Sequence, residues 1–86
     1  MKGAILNWAV LRMVSLRGSD LTDGKLIKVN LRKADLTGAN LSRSNLSGAY
    51  LREANLCKAD LTGAILIGTV FCATIMPDGT TNNSGC

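Results

Sequence analysis

A large apolar residue, usually leucine, returns at every fifth position of this chain and constrains the fold more than any other feature. The members of this series are Leu6, Leu11, Leu16, Leu21, Leu26, Leu31, Leu36, Leu41, Leu46, Leu51, Leu56, Leu61, Leu66, Phe71 and Met76. A small residue often stands two places earlier, as at Ala4, Ala9, Ala34, Ala39, Ala49, Ala54, Ala59 and Ala64. Such a period predicts short repeats that stack into a solenoid and share one core.

A straight helix or strand cannot bury this series on one side. In an α-helix successive leucines would step about 140° around the axis, and in a straight strand they would alternate between faces. A chain that bends after each leucine, position i, does bury them. Positions i−2 and i then point inward, i−1 points outward, and i+1 and i+2 form a corner. Four corners close a coil of twenty residues, and coils stack at about 4.8 Å.

The corner position i+2 is often glycine, which accepts backbone angles that other residues avoid. These glycines are Gly18, Gly38, Gly48, Gly63 and Gly68.

Several units carry a more specific motif, such as Ala34-Asp35-Leu36-Thr37-Gly38, Ala39-Asn40-Leu41-Ser42-Arg43, Ala54-Asn55-Leu56-Cys57-Lys58 and Ala59-Asp60-Leu61-Thr62-Gly63. They resemble the pentapeptide-repeat family, whose unit is A(D/N)LXX, and the resemblance covers roughly residues 4–76. It implies an all-β fold, a right-handed quadrilateral β-helix of about four coils. We predict this β-helix over residues 1–76 and a polar tail over residues 77–86. The end units depart from the motif, with Ile5, Val10, Ile65, Val70 and Ile75 in place of Asp or Asn.

The three cysteines are an odd number without CxxC spacing, which argues against a disulfide framework and against a structural zinc site. Cys57 and Cys72 both fall at the outward position i+1 on adjacent sides of the coil. We expect ordinary thiols in a reducing compartment, and a redox role for Cys86 is the alternative. The chain passes into repeats directly after Met1, so we expect a cytoplasmic protein without a membrane span; a removed leader or preceding domain stays open.

The net charge is +4, from ten Lys and Arg against six Asp and Glu. Arg12, Arg32 and Arg52 should form one row, with Lys33 beside them, because residues twenty apart stack. This row is either an anion or nucleic-acid surface or a set of solvated side chains that cover apolar edges. We favour the second interpretation and expect at most weak nucleic-acid binding, because no aromatic residue interleaves with the row.

Nothing in the sequence points to catalysis, and we predict no catalytic, cofactor-binding or metal-binding residues. Histidine is absent, and no nucleotide-binding or EF-hand motif occurs. Asp20 and Asp60 could be imagined as a carboxylate pair, but two coils would separate them by about 10 Å. Their regular recurrence indicates a structural role in the repeat.

Outward apolar residues gather at the two ends of the predicted solenoid. They are Ile5, Trp8, Val10 and Met13 in the first coil and Ile65, Ile67, Val70 and Ile75 in the last. Patches of this kind mark surfaces that something covers. For the first coil, we expect a weak end-to-end homodimer, while burial of Trp8 against its own chain is the alternative.

The resulting function prediction is a non-enzymatic scaffold or protein-interaction module with an unknown protein partner and no cofactor. The family resemblance implies a bacterial, especially cyanobacterial, type of protein. It also offers an alternative, because some family members are strongly acidic dimeric rods that imitate DNA and protect topoisomerases. A weak anion or nucleic-acid binder that uses Arg12, Arg32 and Arg52 is the other alternative.

Overall fold

The computed structural model describes residues 2–86, and over that range it consists of turns, isolated β-bridges and two short strands, with no helix. Parallel bridges join residues that are twenty apart, from Ile5 with Lys25 to Asn55 with Ile75. Turns recur every five residues, so each twenty-residue coil has four sides. The predicted register, in which residues twenty apart stack, is confirmed. Met1, the first residue of the predicted β-helix, lies outside the described residues.

The ladders of bridges define four sides of the solenoid, named here A to D in chain order. Side A carries Ile5, Lys25, Asn45 and Ile65; side B carries Val10, Asn30, Tyr50 and Val70; side C carries Ser15, Asp35, Asn55 and Ile75; side D carries Asp20, Asn40 and Asp60.

Each corner is a turn whose third residue has a positive φ. At the corner after Leu6, the Ala9 N–H donates to the Leu6 carbonyl at 3.1 Å, and Trp8 has a φ of 67°. Glycine fills this position at many corners, as predicted. The same φ also occurs at residues that it suits less well, namely Met13, Asp23, Lys28, Lys33, Arg43, Glu53, Lys58 and Ala73. The N–H of Trp8 donates to the Ile27 carbonyl at 2.9 Å, so a bond to the next coil offsets the local cost.

Backbone hydrogen bonds between coils hold the stack together. The Leu41 N–H donates to the Asp60 carbonyl at 2.7 Å, and the Arg43 N–H donates to the Thr62 carbonyl at 2.8 Å. On the other side, the Asn40 N–H donates to the Ser19 carbonyl at 2.8 Å. An interior unit is therefore bonded to the coil before it and to the coil after it.

The core is a column of leucines with small residues between them. The leucines from Leu21 to Leu56 are at most 1% exposed. The predicted burial of Leu36, Leu41, Leu46 and Leu51 with Ala34, Ala39 and Ala49 is confirmed. Alternation of large and small side chains at i and i−2 lets the column reach the close packing of a protein interior.

Two buried hydroxyl groups replace alanine at position i−2 without leaving a polar group unpaired. Ser44 Oγ donates to the Leu41 carbonyl at 2.7 Å, and Thr74 Oγ1 donates to the Leu51 carbonyl at 2.6 Å. Every buried side-chain nitrogen and oxygen in residues 2–86 has a hydrogen-bond partner. The core therefore tolerates these hydroxyls, because backbone carbonyls of the coils accept hydrogen bonds from them.

The first coil forms an open end of the solenoid. Leu6, Leu11 and Leu16 are only partly buried there. The N–H groups of Ile5 and Val10 donate no hydrogen bond to any described residue, whereas their counterparts in the next coil donate backward. This end therefore presents apolar core and unpaired backbone together.

The chain leaves the coils after Met76 and folds back on itself. Strand β1 (Thr74–Ile75) pairs antiparallel with strand β2 (Thr81–Asn82), with Thr74 opposite Asn82. The Gly85 N–H donates to the Phe71 carbonyl at 2.6 Å. A Cβ at Gly85 would lie 3.1 Å from the Phe71 backbone, so glycine allows this approach. The polar tail therefore folds back onto the last coil.

The prediction that argued against a disulfide is wrong, because Cys72 and Cys86 are bonded to each other. Their Cα atoms lie 4.9 Å apart, and 14 positions of sequence separate them. Cys72 does lie at the outward position i+1, but it is buried because the tail covers it. Cys57 remains a free, partly buried thiol.

Candidate interaction surfaces

The four apolar residues predicted for interaction form one exposed band around two sides of the first coil. Ile5 and Val10 project outward from the bridges of sides A and B, while Trp8 and Met13 project from the corners that follow. Each is between 68% and 72% exposed. We name these four residues the first-coil surface.

Trp8 is not buried against its own chain, so that alternative is wrong. Its ring carries the Lys28 ammonium, with Nζ 5.1 Å from the ring centre. Lys28 occupies the same corner one coil later, so its ammonium lies over one face of the indole ring. The rest of the indole stays accessible to a partner.

The apolar residues at the opposite end are only partly covered by the tail. Ile67 is 77% exposed and Ile65 is 42% exposed, both on side A. The tail instead lies over Phe71 and Cys72 on side B. The two ends therefore differ, because within residues 2–86 a non-repeating segment packs on the last coil and none packs on the first.

Arg12, Arg32 and Arg52 lie in one row on side B, and the row ends at Cys72. Backbone bonds fix this alignment, since the corner residue after each arginine donates to the carbonyl of the next residue in the row. Within residues 2–86, no carboxylate lies within 4.0 Å of any of the three guanidinium groups. Lys33, beside the row, pairs with Glu53 at 3.8 Å.

The expectation that no aromatic residue accompanies the arginine row is wrong. The Arg32 guanidinium lies over the Tyr50 ring, 4.8 Å from its centre. Tyr50 is at i−1 and Arg52 at i+1 of one unit, and Arg32 belongs to the coil below. The twenty-residue register pairs Asn30 with Tyr50, which places Arg32 next to the Tyr50 side chain. This contact could have been predicted from the sequence.

Two clefts open along this row. One of about 390 Å³ is lined by Arg12, Arg32, Lys33, Arg52 and Glu53. The other, of about 330 Å³, is lined by Arg32, Tyr50, Arg52, Val70, Cys72, Gly85 and Cys86. Arg32 and Arg52 line both clefts, so the two adjoin, and we refer to them together as one depression.

The Asp and Asn residues at i−1 shape the corners of the repeat. Asp35 Oδ1 accepts hydrogen bonds from the Thr37 hydroxyl at 2.6 Å and from the Thr37 N–H at 3.1 Å. Asn40 Oδ1 accepts the same pair of bonds from Ser42. This is an Asx-type turn, which an amide or a carboxylate serves equally well. It explains the D/N alternation in the motif without any catalytic role.

The same hydrogen bonds lower the pKa values of the turn carboxylates. The side-chain hydroxyl and then the N–H of Thr37 hold the pKa of Asp35 below its usual range. Bonds from Thr22, Thr62 and Thr80 act in the same way on the pKa values of Asp20, Asp60 and Asp78. The low values favour the charged form and disfavour service as a general acid at neutral pH.

These pKa shifts predict acid sensitivity that asparagine should remove. Because the folded carboxylates bind protons less readily than the unfolded ones, their stabilising effect is complete above about pH 3.9. This stabilisation is lost as the pH falls through the lowered pKa values that the four carboxylates have in the folded protein. Thermal melts between pH 6 and pH 2 should show this fall. Replacing the four aspartates by asparagine should flatten it, and an equally steep fall in that variant would contradict the Asx-turn assignment.

Residues 2–86 contain neither a metal-ligand cluster nor a membrane-spanning helix. Residues 2–86 hold no group of three His, Cys, Asp or Glu side chains placed to bind a metal ion. No helix in that range has the length and apolar character needed to cross a bilayer. The candidate sites in the described structure are therefore the first-coil surface and the arginine row.

The sequence matches the family model described as pentapeptide repeats over residues 1–38 and again over residues 39–76. This chain belongs to the pentapeptide-repeat family. The motif-bearing units in the middle of the chain and the variant units at its ends all fall inside the matched ranges. A comparison with curated proteins finds no match.

Solved structures of pentapeptide-repeat proteins resemble this one. HetL, involved in heterocyst differentiation regulation in the cyanobacterium Nostoc, is 42% identical over 95% of this chain, with a TM-score of 0.61. Rfr23 from the cyanobacterium Cyanothece is 38% identical over 79% of this chain, with a TM-score of 0.78. A protein from the thylakoid lumen of Arabidopsis thaliana is 26% identical over 98% of this chain, with a TM-score of 0.85.

This pentapeptide-repeat chain is shorter than those relatives. The matches span 40% of HetL, 46% of Rfr23 and 61% of the Arabidopsis protein. The similarity to these three proteins is therefore a similarity of the repeat architecture over part of their length.

Proposed function

We propose that this chain is a non-enzymatic protein-interaction module, built as a right-handed quadrilateral β-helix of about four coils. The observation that carries the proposal is the first-coil surface, where Ile5, Trp8, Val10 and Met13 are each more than two-thirds exposed. Apolar patches of this kind mark surfaces that bind other molecules. The middle coils lack such a patch, since Tyr50 is their one large apolar residue among the exposed ones in the described structure.

The partner that fits this end best is a second copy of the chain. The half-buried Leu6, Leu11 and Leu16 and the unpaired N–H groups of Ile5 and Val10 lie beside the first-coil surface. Two such ends that meet about a two-fold axis would cover apolar core, surface and backbone together. The tail occupies part of the opposite end, which leaves the first coil as the more accessible contact.

The size of the end predicts a weak dimer. The molecule measures 28 × 23 × 22 Å. An end face is thus on the order of 500 Å² per partner, or about 1,000 Å² in total, which is the lower limit for a specific interface.

Trp8→Glu should abolish this dimer, because it replaces a large apolar side chain of the first-coil surface with a charge that the contact would have to desolvate. Glutamate suits the corner, since Glu53 occupies the equivalent position with a φ of 60°. Sedimentation at high protein concentration should therefore show a concentration-dependent dimer for the natural chain and a monomer for the variant.

Ile67→Glu is the matched control for this experiment. It introduces the same charge at a residue that is 77% exposed at the other end, and it should leave the dimer intact. A strict monomer for the natural chain would refute the homodimer. Loss of the dimer in Ile67→Glu alone would place the contact at the last coil.

The DNA-mimic alternative is less well supported, because it requires an acidic surface. This chain has a net charge of +4, and its longest row of like charges is the arginine row. A topoisomerase protection assay separates this alternative from the proposed module. The involvement of HetL in regulation is compatible with a module that acts through contacts.

A cytoplasmic location stays part of the proposal, and the disulfide provides its test. Bonds such as Cys72–Cys86 persist in oxidising compartments and are reduced in most cytosols. Thiol alkylation of the protein in its native cells would show whether this bond is formed there. A fully formed bond in vivo would favour an oxidising compartment over the cytoplasm.

A further inference from the structure

The arginine row and the disulfide-bonded tail form one depression with two chemically different halves. The first half, lined by Arg12, Arg32, Lys33, Arg52 and Glu53, is dominated by cations. The second half is lined by Tyr50, Val70, Gly85 and the Cys72–Cys86 disulfide. Arg32 and Arg52 stand between the halves and line both of them.

The cationic half lacks enough counter-charge from the protein itself. Glu53 is the one carboxylate in its lining, and Lys33 already pairs with it. The backbones of Arg12, Arg32 and Arg52 stack at the coil spacing of about 4.8 Å, so their like charges share one side of the solenoid and repel each other. A phosphate chain along the row would neutralise the three guanidinium groups, and its oxygens would accept hydrogen bonds from their paired N–H groups.

The second half has the apolar walls that a flat organic group requires. Tyr50 is 37% exposed, and its ring lies under the Arg32 guanidinium at 4.8 Å. Val70 and the disulfide form the remaining wall, and the Gly85 N–H bond to the Phe71 carbonyl holds the tail in place. Its volume of about 330 Å³ falls within the range of small-molecule sites, about 300–1,000 Å³.

We propose that this depression binds a nucleotide with two or three phosphate groups. The phosphates lie along Arg12, Arg32 and Arg52, and the base or sugar lies against Tyr50, Val70 and the disulfide. The row ends at Cys72 under the tail, so three guanidinium groups limit the length of the anion. That closure favours a small nucleotide over a continuous nucleic-acid strand. None of the four residues of the first-coil surface lines this depression, so the Trp8→Glu variant leaves its lining intact.

Titration of the oxidised full chain with ADP tests the proposal, by calorimetry at low and at physiological salt. We expect saturable binding with one ADP per chain, and we expect pyrophosphate to bind about tenfold more weakly because it lacks the organic group. Arg52→Gln should weaken ADP binding about tenfold, since it removes one charge-assisted pair of hydrogen bonds.

Arg17→Gln is the matched control, because Arg17 occupies the same corner position on side C and pairs with Asp35 at 3.6 Å. It removes the same charge, and it should change ADP affinity less than about twofold if the site is local. Cys86→Ser should lower ADP affinity to that of pyrophosphate, while pyrophosphate binding itself stays unchanged.

Three results would overturn the proposal. The first is an absence of saturable ADP binding at low salt. The second is an equal loss of affinity in Arg17→Gln and Arg52→Gln, which would indicate a diffuse charge effect. The third is binding of a single-stranded oligonucleotide about a hundredfold tighter than ADP, which would make the row a polymer surface.

Discussion

Leu41→Asp is expected to unfold the whole domain. Leu41 is fully buried in the column of leucines, with a coil on each side. An aspartate there would be a charge without a partner, because the surrounding side chains are apolar. We expect a loss of roughly 4 kcal/mol or more, which is a large part of the total stability of a small domain. Urea unfolding followed by circular dichroism measures this loss directly.

Two control variants separate the effect of burial from the effect of charge. Lys58→Asp introduces an aspartate at an exposed corner, where Asp23 shows that this residue accepts the required φ of 60°. It should change stability by about 0.5 kcal/mol or less. Leu41→Met retains an apolar side chain of similar volume and should cost less than about 1.5 kcal/mol. A stable Leu41→Asp domain would refute the assigned inward register.

Cys86→Ser should give the second-largest loss of stability. The bond to Cys72 closes a loop over 14 positions and holds the tail across side B. Closing a loop of this length stabilises a folded chain by about 3 kcal/mol, through the restricted unfolded state. The free energies of unfolding from urea titrations of the natural protein with and without reductant should differ by this amount, and the reduced protein should match Cys86→Ser.

Cys57→Ser is the control for the loss of a thiol. Cys57 occupies position i+1, where Ser42 and Ser47 already stand in other units, so serine suits the corner. Its N–H bond to Asn55 Oδ1, 2.9 Å long, does not depend on the thiol. We expect Cys57→Ser to leave the stability of the oxidised protein unchanged, and we expect reductant to destabilise this variant as much as the natural protein. Equal stability of the oxidised and reduced natural protein would show that hydrogen bonds alone hold the tail.

The interior of the solenoid was predictable because its information is local and repeated. The five-residue period places Leu36 and Leu41 on the inside, and Asp35 and Asn40 on the outside. The same period brings Arg12, Arg32 and Arg52 into one row, since each coil takes twenty residues. The exposure of Ile5, Trp8, Val10 and Met13 also follows from their outward positions in the first coil.

The last ten residues were less predictable, because they do not repeat. Pro77-Asp78-Gly79 has the composition of a turn, and the Gly79 N–H donates to the Met76 carbonyl at 2.9 Å. Nothing in the spacing of three cysteines shows that Cys86 returns to Cys72. That return depends on the β1–β2 pairing and on the contact of Gly85 with Phe71.

The sequence by itself determined the coil, its register and its core, since each five-residue unit repeats one local rule about inward and outward side chains. Only the tertiary structure decided the disulfide, the tail position and the depression that the tail shares with Arg32 and Arg52. The physical reason is the range of the contacts. A repeat specifies neighbours at a constant distance along the chain, whereas the tail's contacts depend on where a non-repeating segment packs against the completed coils.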